Sequence, residues 1–169
     1  PGAARPRDES AVPSSDEMVI GVGGRGSAAV YHLAKGGWKV LGLEKYDIPQ
    51  EMGSCHGYAR MIRYTFQEHS AYVPLVRRAY ELWHELEDAS GEKLVVITGS
   101  VRAGPADSLF FRDAQESCDV HDIPYEVLTA KEIKKRFPGY GFPDAISSIY
   151  QADGGFLLPE ECIVNHVKA

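Results

Sequence analysis

Three glycines that follow a short apolar run carry the clearest chemical signal in the sequence. Residues 18–20 are succeeded at once by Gly21, Gly23 and Gly26, which stand in the pattern G-x-G-x-x-G. In this pattern the first glycine permits a tight turn, the second lets backbone N–H groups approach a pyrophosphate, and the third lets helix pack closely on strand. The helix directs the positive end of its dipole at the anion. The loop therefore predicts a dinucleotide site.

A glutamate lies where such a site needs an acid. Glu44 follows a second short apolar run, residues 40–43, and lies 44 − 26 = 18 residues past the last glycine. An acid about 20 residues beyond the loop hydrogen-bonds the ribose hydroxyls, which favours NAD or FAD over NADP. The alternative interpretation is a tight turn with a surface glutamate beyond it. The complete order of strand, loop, helix, strand and acid favours dinucleotide binding.

The elements that must position these residues follow from apolar spacing and from breaker residues. Thr129 with Glu132 forms a capping-box pattern, and Pro159 followed by two glutamates is typical of a helix start. The predicted strands are residues 18–20, 40–43, 125–128 and 146–150, and residues 94–103 are predicted to be rich in β structure that ends at Gly104-Pro105. One helix is predicted after Gly26, and the others are predicted from Tyr72 to Gly91, over 109–118, from Thr129 to before Pro138, and from Pro159 onward. The predicted fold class is α/β.

Length, composition and charge exclude several classes of function. The chain has 169 residues, a net charge of −6 and 44% hydrophobic residues, as expected for one globular domain or part of a larger one. No apolar run approaches the length of a membrane span, and the absence of a Lys/Arg cluster argues against nucleic-acid binding. Three scattered cysteines predict neither disulfides nor a metal site, so we expect a reducing, intracellular location. Residues 1–15 are expected to form a disordered leader, not a secretory signal.

The stretch after Glu44 resembles a known family. Residues 53–64, with the sequence GSCHGYARMIRY, are similar to the segment after the second strand in FAD-dependent amine oxidoreductases, nearest to the monomeric sarcosine oxidase and N-methyl-tryptophan oxidase group. The most specific part is Ser-x-His-Gly-x-x-Arg-x-x-Arg. The resemblance covers residues 16–169 and continues through Tyr72-Val73-Pro74-Leu75, Glu81-Leu82-Trp83, Thr98-Gly99, Arg136-Phe137-Pro138-Gly139 and Gly154-Gly155.

The resemblance implies a fold, a cofactor and a reaction. The fold would be a Rossmann-like FAD-binding domain with an inserted substrate-domain segment. The reaction would be oxidation of a secondary or N-methylated amino acid, with hydride transfer to the flavin and reduction of molecular oxygen to hydrogen peroxide. Arg63 would hold the substrate carboxylate. The implied FAD-binding residues are Gly21, Val22, Gly23, Gly24, Arg25, Gly26, Glu44 and Lys45 around the pyrophosphate and adenosine, and Ser54, His56, Arg60 and Met61 on the flavin side.

Charge supports the two arginines independently of the resemblance. A substrate carboxylate needs a partner that stays protonated and can donate two parallel hydrogen bonds, and a positive group near the flavin would stabilise the anionic reduced ring. Arg60 and Arg63 are three residues apart, so on a helical turn they would share a face. From spacing alone, two surface arginines are an equal alternative. Val22 and Arg25 depart from the residues usual in the glycine loop, and Cys55 is interpreted as a small packing residue.

The sequence is expected to be an N-terminal fragment of a longer enzyme. The predicted division is a leader (1–15), an FAD-binding βαβ unit with the following helix (16–93), a substrate-domain segment (94–155) and a return helix of the FAD domain (156–169). Catalytic residues for oxygen activation, and any cysteine linked to FAD, are expected beyond residue 169. The expected partners are an amino-acid substrate and molecular oxygen, and we expect a monomer that is cytoplasmic or peroxisomal.

Two alternatives stay open at this stage. An NAD-dependent dehydrogenase would share the glycine loop, but it gives no reason for the Ser-x-His-Gly-x-x-Arg-x-x-Arg segment. The other alternative is a non-catalytic truncated fragment.

Overall fold

The computed structural model describes residues 14–66 and 68–169, so residues 1–13 of the predicted leader lie outside the described residues. None of the described helices is long and apolar enough to cross a membrane. The elements in chain order are β1 (Glu17–Ile20), α1 (Gly24–Lys35), β2 (Val40–Leu43), β3 (Arg60–Ile62), α2 (Tyr72–Ser90), β4 (Val95–Ile97), β5 (Ser100–Pro105), α3 (Leu109–Asp119), β6 (Glu126–Thr129), α4 (Ala130–Arg136), β7 (Ile146–Gln151), β8 (Gly155–Leu157) and α5 (Pro159–Lys168). The predicted α/β class is confirmed.

The first three elements form a parallel β-α-β unit around the glycine loop. β1 and β2 pair in parallel, with Glu17 opposite Val40 and Ile20 opposite Leu43. Val22, at the start of the loop, is buried, and a Cβ on Gly42 would come within 3.3 Å of the side chains of Val22 and Val30. Glycine at position 42 therefore leaves room for the buried side chain of Val22 inside the loop.

Two antiparallel sheets of three strands complete the structure. One sheet has the order β3-β8-β4 and the other has the order β5-β7-β6. Ile62 of β3 and Val95 of β4 pack with Tyr80 of α2, and Phe111 and Ala114 of α3 pack on Ile149 of β7. α5 lies against α1, where Ser27 and His166 meet. β3 lies in the predicted FAD-binding segment, β4 lies in the predicted substrate-domain segment, and β8 crosses the predicted boundary between residues 155 and 156. The domain division stays a prediction.

The stretch predicted to be rich in β structure, residues 94–103, contains two strands. These are β4 and β5, which belong to different sheets. Gly99 separates them with a φ of +77°, a left-handed conformation that suits glycine, and the N–H groups of Thr98 and Gly99 both donate to the carbonyl of Gly154. β4 contributes the buried Val95 to a hydrophobic cluster, whereas the residues of β5 are only partly buried or exposed.

The helical turn considered for Arg60 and Arg63 is also not observed. Residues 60–62 form β3, paired with β8, and Arg63 follows its end. Side chains on a strand alternate between its two faces, so residues three apart do not share a face. Met61 is accordingly exposed while Ile62 is buried.

Candidate functional site

The glycine loop adopts the geometry that its spacing predicts. Gly21 has a φ of +89°, and its N–H donates to the carbonyl of Leu43, which joins the loop to the end of β2. A Cβ on Gly26 would overlap the carbonyl oxygen of Gly21, so the third position requires glycine. A Cβ on Gly23 would meet no atom within 4 Å, because this residue faces open space. The second glycine is therefore the point at which a ligand can approach the backbone.

The N-terminus of α1 is directed at the same space. The helix begins at Gly24, and its N-cap Gly23 has no side chain to accept the first N–H groups. Such uncapped N–H groups and the helix dipole form a ready anion site. The described arrangement is thus suited to a pyrophosphate.

Glu44 is attached directly to the loop. Its Oε2 accepts a 2.7 Å hydrogen bond from the Val22 N–H, and its Oε1 accepts from the backbone N–H groups of Lys45 and Tyr46 at 2.8 and 3.3 Å. These bonds, that from Val22 first, lower the pKa of the Glu44 carboxyl group below its usual value. The carboxylate is therefore ionised at neutral pH and held beside the loop.

A cavity of about 480 Å³ connects the predicted phosphate and flavin sides. This volume lies within the range of small-molecule sites, roughly 300–1,000 Å³. Residues of the glycine loop, the end of β2 and the segment that leads to β3 share its wall. The lining residues are Gly21, Val22, Gly23, Gly24, Arg25, Gly26, Glu44, Ile48, Pro49, Gln50, Gly53, Ser54, Cys55, His56 and Ile163.

The structure brings nine of the twelve predicted FAD-binding residues to this cavity. Three others lie outside its wall: Lys45 borders a neighbouring surface hollow, Met61 borders a separate hollow with Tyr140 and Phe156, and Arg60 lines neither. Arg60 instead donates to the carbonyl oxygens of Ser54 and His56, both at 2.5 Å, and of Ala59 at 2.8 Å. The guanidinium group therefore organises the predicted flavin loop through its backbone.

Glu160 also holds this loop, a role that its sequence context did not indicate. Its Oε1 lies 2.9 Å from Nδ1 of His56 and accepts a 3.2 Å hydrogen bond from the Gly57 N–H. The sequence suggests only a helix-start preference for this acid, because no spacing relates it to a histidine 104 residues away (160 − 56 = 104). Cys55, in the same loop, packs its Sγ against Gly24, as a small packing residue would.

Arg63, the predicted carboxylate ligand, lies beyond the end of β3 and lines none of the hollows described above. Its guanidinium carbon is 5.5 Å from the ring centroid of Phe66. The backbone that follows it is held by Gln151 and Arg102, which no sequence pattern singled out.

Comparison with known proteins identifies the class. Residues 16–169 match the family described as FAD dependent oxidoreductase, and the chain belongs to that family. The predicted cofactor, FAD, and the predicted resemblance are confirmed by this match and by the relatives below.

Two curated relatives have the names that the resemblance implied. The chain is 40% identical to monomeric sarcosine oxidase of Streptomyces avermitilis over 156 residues, which are 92% of this chain and 41% of that protein. It is 36% identical to N-methyl-L-tryptophan oxidase of Yersinia pestis (strain Pestoides F) over 154 residues, 91% of this chain and 42% of that protein. The chain thus spans about two fifths of the length of these relatives.

Solved structures agree in fold. NikD, described as an unusual amino acid oxidase essential for nikkomycin biosynthesis, superimposes with a TM-score of 0.81 at 26% identity over 93% of this chain and 41% of that protein. L-Proline dehydrogenase from P. horikoshii superimposes with a TM-score of 0.77 at 26% identity, over 92% of this chain and 41% of that protein.

Proposed function

We propose that the protein containing this sequence is an FAD-dependent oxidase of secondary or N-methylated amino acids. The observation that carries the proposal is the shared cavity, whose wall includes both the glycine loop with Glu44 and the loop of Ser54 and His56. Membership of the FAD dependent oxidoreductase family and the names of the two curated relatives support the same reaction class.

The chain's own residues fit the two ends of FAD. The open face of Gly23 and the uncapped start of α1 would receive the pyrophosphate, and Arg25, on the cavity wall, would add a positive charge there. Glu44, fixed as a carboxylate, would accept hydrogen bonds from the adenosine ribose. Ser54 and His56 would line the flavin side, with Met61 at its margin, and Lys45 would lie at the margin of the adenosine side.

Binding and orientation are the contributions of this chain to the reaction. FAD, when bound, supplies the acceptor for a hydride from the carbon beside the amine nitrogen; water hydrolyses the resulting imine, and molecular oxygen takes up the two electrons and gives hydrogen peroxide. Arg63 would bind the substrate carboxylate and so orient that carbon. Arg60 and Glu160 would keep the loop of His56 in place during this step.

A substitution at Arg63 tests the substrate assignment. In the complete protein that contains this sequence, Arg63→Ala should raise the KM for sarcosine, L-proline or N-methyl-L-tryptophan, whichever the wild type oxidises best, at least tenfold. The FAD content should stay within twofold, because Arg63 is outside the cavity. Arg112→Ala, which removes an arginine whose guanidinium donates to the carbonyl of Asp107, is the matched control. Unchanged turnover and KM in Arg63→Ala would overturn the assignment.

Flavin retention tests the cofactor independently of the substrate. The complete protein should show flavin absorption bands after incubation with FAD and desalting, and incubation with NAD should leave no bound nucleotide. Retention of NAD without flavin would favour a dehydrogenase and contradict the proposal. If the protein binds flavin but oxidises none of the three amino acids, the cofactor assignment stands and the proposed substrate class is contradicted.

A further inference from the structure

The backbone that follows Arg63 is held by side chains of the β5-β7-β6 sheet and of α3. The Tyr64 N–H donates to Oε1 of Gln151 at 3.1 Å, the Arg102 guanidinium donates to the carbonyl of Thr65, and the Ser117 hydroxyl donates to the carbonyl of Phe66. Three consecutive residues that follow β3 are thus held by side chains of other elements. Pairing of β3 with β8 ends at Ile62, so strand hydrogen bonds no longer fix the chain here.

Gln151 is the residue of this group whose burial is most unusual. Its side chain is fully buried, its Oε1 serves Tyr64, and its Nε2 has no hydrogen-bond partner among the described residues. A buried amide with an unmatched donor is costly, and an apolar residue of similar size would avoid that cost. An apolar residue, however, has no oxygen that could accept a hydrogen bond from the Tyr64 N–H. The arrangement thus retains a carbonyl acceptor at this point at the expense of core stability.

The position of Gln151 connects the two antiparallel sheets. It is the last residue of β7, opposite Ser100, and the chain then turns into β8, the partner of β3. The hydrogen bond to Tyr64 therefore ties the end of one sheet to the residue after Arg63. The Tyr64 ring stacks on Tyr80 at a centroid distance of 4.8 Å, so both the backbone and the side chain of this residue are fixed.

The same turn carries the surface on which the Arg63 side chain lies. The Phe66 N–H donates to the Tyr64 carbonyl at 2.8 Å, and the Arg63 guanidinium lies over the Phe66 ring. A shift of Tyr64 would therefore move both the Cα atom of Arg63 and the ring beneath its guanidinium group. This coupling gives Gln151 a means of setting where the charge of Arg63 is presented.

We propose that Gln151 is a positioning residue that, through the backbone of Tyr64, fixes Arg63 for binding of the substrate carboxylate. This inference rests on the proposed role of Arg63. It requires that Gln151 act on the substrate only through Arg63, so removal of its acceptor should weaken recognition of the carboxylate and leave FAD binding unchanged.

The test is a double-mutant cycle in the complete protein, with the best of the three amino acids named above as substrate and its methyl ester as the uncharged comparison. Gln151→Leu should raise the KM for the amino acid about tenfold, change kcat less than threefold, and leave both FAD content and ester kinetics unaltered. In the Arg63→Ala background, Gln151→Leu should cause no further change in KM. Gln151→Glu keeps an oxygen acceptor for the Tyr64 N–H and should stay within threefold of the wild-type KM.

Ser148 provides the matched control, because it lies on the same strand, is equally buried, and also has an unpartnered polar atom among the described residues. Strand alternation places it on the opposite face of β7. Ser148→Ala should leave KM unchanged.

Additive effects of Gln151→Leu and Arg63→Ala, or equal effects on the ester, would overturn the inference. If Gln151→Leu does not fold, Gln151→Glu still tests the inference: a KM as high as that of Arg63→Ala would overturn it. A normal KM in Arg63→Ala would overturn the role of Arg63 and this inference with it, whereas the proposed function would be contradicted only if the wild type bound no flavin or oxidised none of the three amino acids.

Discussion

The backbone N–H of Val22 donates a 2.7 Å hydrogen bond to Oε2 of Glu44. This bond joins the turn after β1 to the residue after β2, so it connects the predicted phosphate site with the predicted ribose site. The other carboxylate oxygen is held by the N–H groups of Lys45 and Tyr46. Glu44 therefore organises the loop in addition to any contact with a ribose.

Glu44→Gln should weaken FAD binding through this dual role. An amide offers one acceptor oxygen, so either the Val22 N–H or the N–H pair at residues 45 and 46 would face an NH₂ group. We expect the dissociation constant for FAD to rise about tenfold, which corresponds to about 1.4 kcal/mol. Titration of FAD fluorescence measures it, with Glu51→Gln, an exposed acid nearby, as control. A dissociation constant within twofold of wild type would contradict the prediction.

Alanine substitutions at the second and third glycines of the loop should have different consequences. Gly26→Ala places a methyl group on the Gly21 carbonyl, so it should lower the thermal midpoint of the FAD-free protein as well as abolish FAD binding. Gly23→Ala adds its methyl group to open space, so it should leave that midpoint unchanged while weakening FAD at least tenfold. Gly139→Ala, which also meets no atom within 4 Å, is the control. Wild-type affinity in Gly23→Ala would show that the ligand does not approach there.

Structural features that depend on interactions between residues close together in the chain were predictable from sequence. The capping box of Thr129 and Glu132 has both of its reciprocal hydrogen bonds, and α2 ends where Gly91 adopts a φ of 75°. The glycine loop belongs to the same group, because its spacing alone requires the strand-to-helix turn. In each of these cases the physical cause is local steric freedom or a local hydrogen bond.

Contacts between distant segments were not predictable. The pairing of Ile62 with Gly155 and the hydrogen bond from Gly57 to Glu160 join residues about 100 positions apart, and no periodicity records such partners. Arg60 illustrates the consequence for the site: its residue type indicated a charge for the flavin, whereas its guanidinium donors are used on backbone carbonyls that only the folded loop brings together.

Removal of the Glu160 carboxylate should loosen the loop of His56. Glu160→Ala leaves the His56 ring and the Gly57 N–H without their acceptor, and both partners are partly exposed, so we expect a modest loss of about 1 kcal/mol in FAD affinity, roughly fivefold. Glu161→Ala, in the same helical turn, is the matched control. Equal FAD affinities for the two variants would mean that the carboxylate contact does not support the site.

A buried histidine beside the glycine loop should make the stability of the fold sensitive to mild acid. His166 is 5% exposed, lies against the rings of Trp83 and Tyr31, and has its Nδ1 3.4 Å from the hydroxyl of Ser27, the residue after Gly26. Burial, with a smaller contribution from His32, lowers the pKa of His166 to about 4. The ordinary value is 6.5. Between these values the unfolded chain binds the proton and the folded chain does not.

The sign of the effect follows from that difference in proton binding. The contribution of His166 to stability is complete above pH 6.5 and is lost as the pH falls toward 4, with a slope of up to about 1.4 kcal/mol per pH unit. Urea unfolding at pH 7.5, 6.0 and 5.0 measures it. His32, whose pKa is also lowered by burial, adds to the wild-type slope, so the decisive comparison is with His166→Phe, which should have a smaller slope. His121→Gln should keep the wild-type slope. An unchanged slope in His166→Phe would mean that this residue binds the same number of protons in the folded and the unfolded chain at these pH values, so that burial does not lower its pKa.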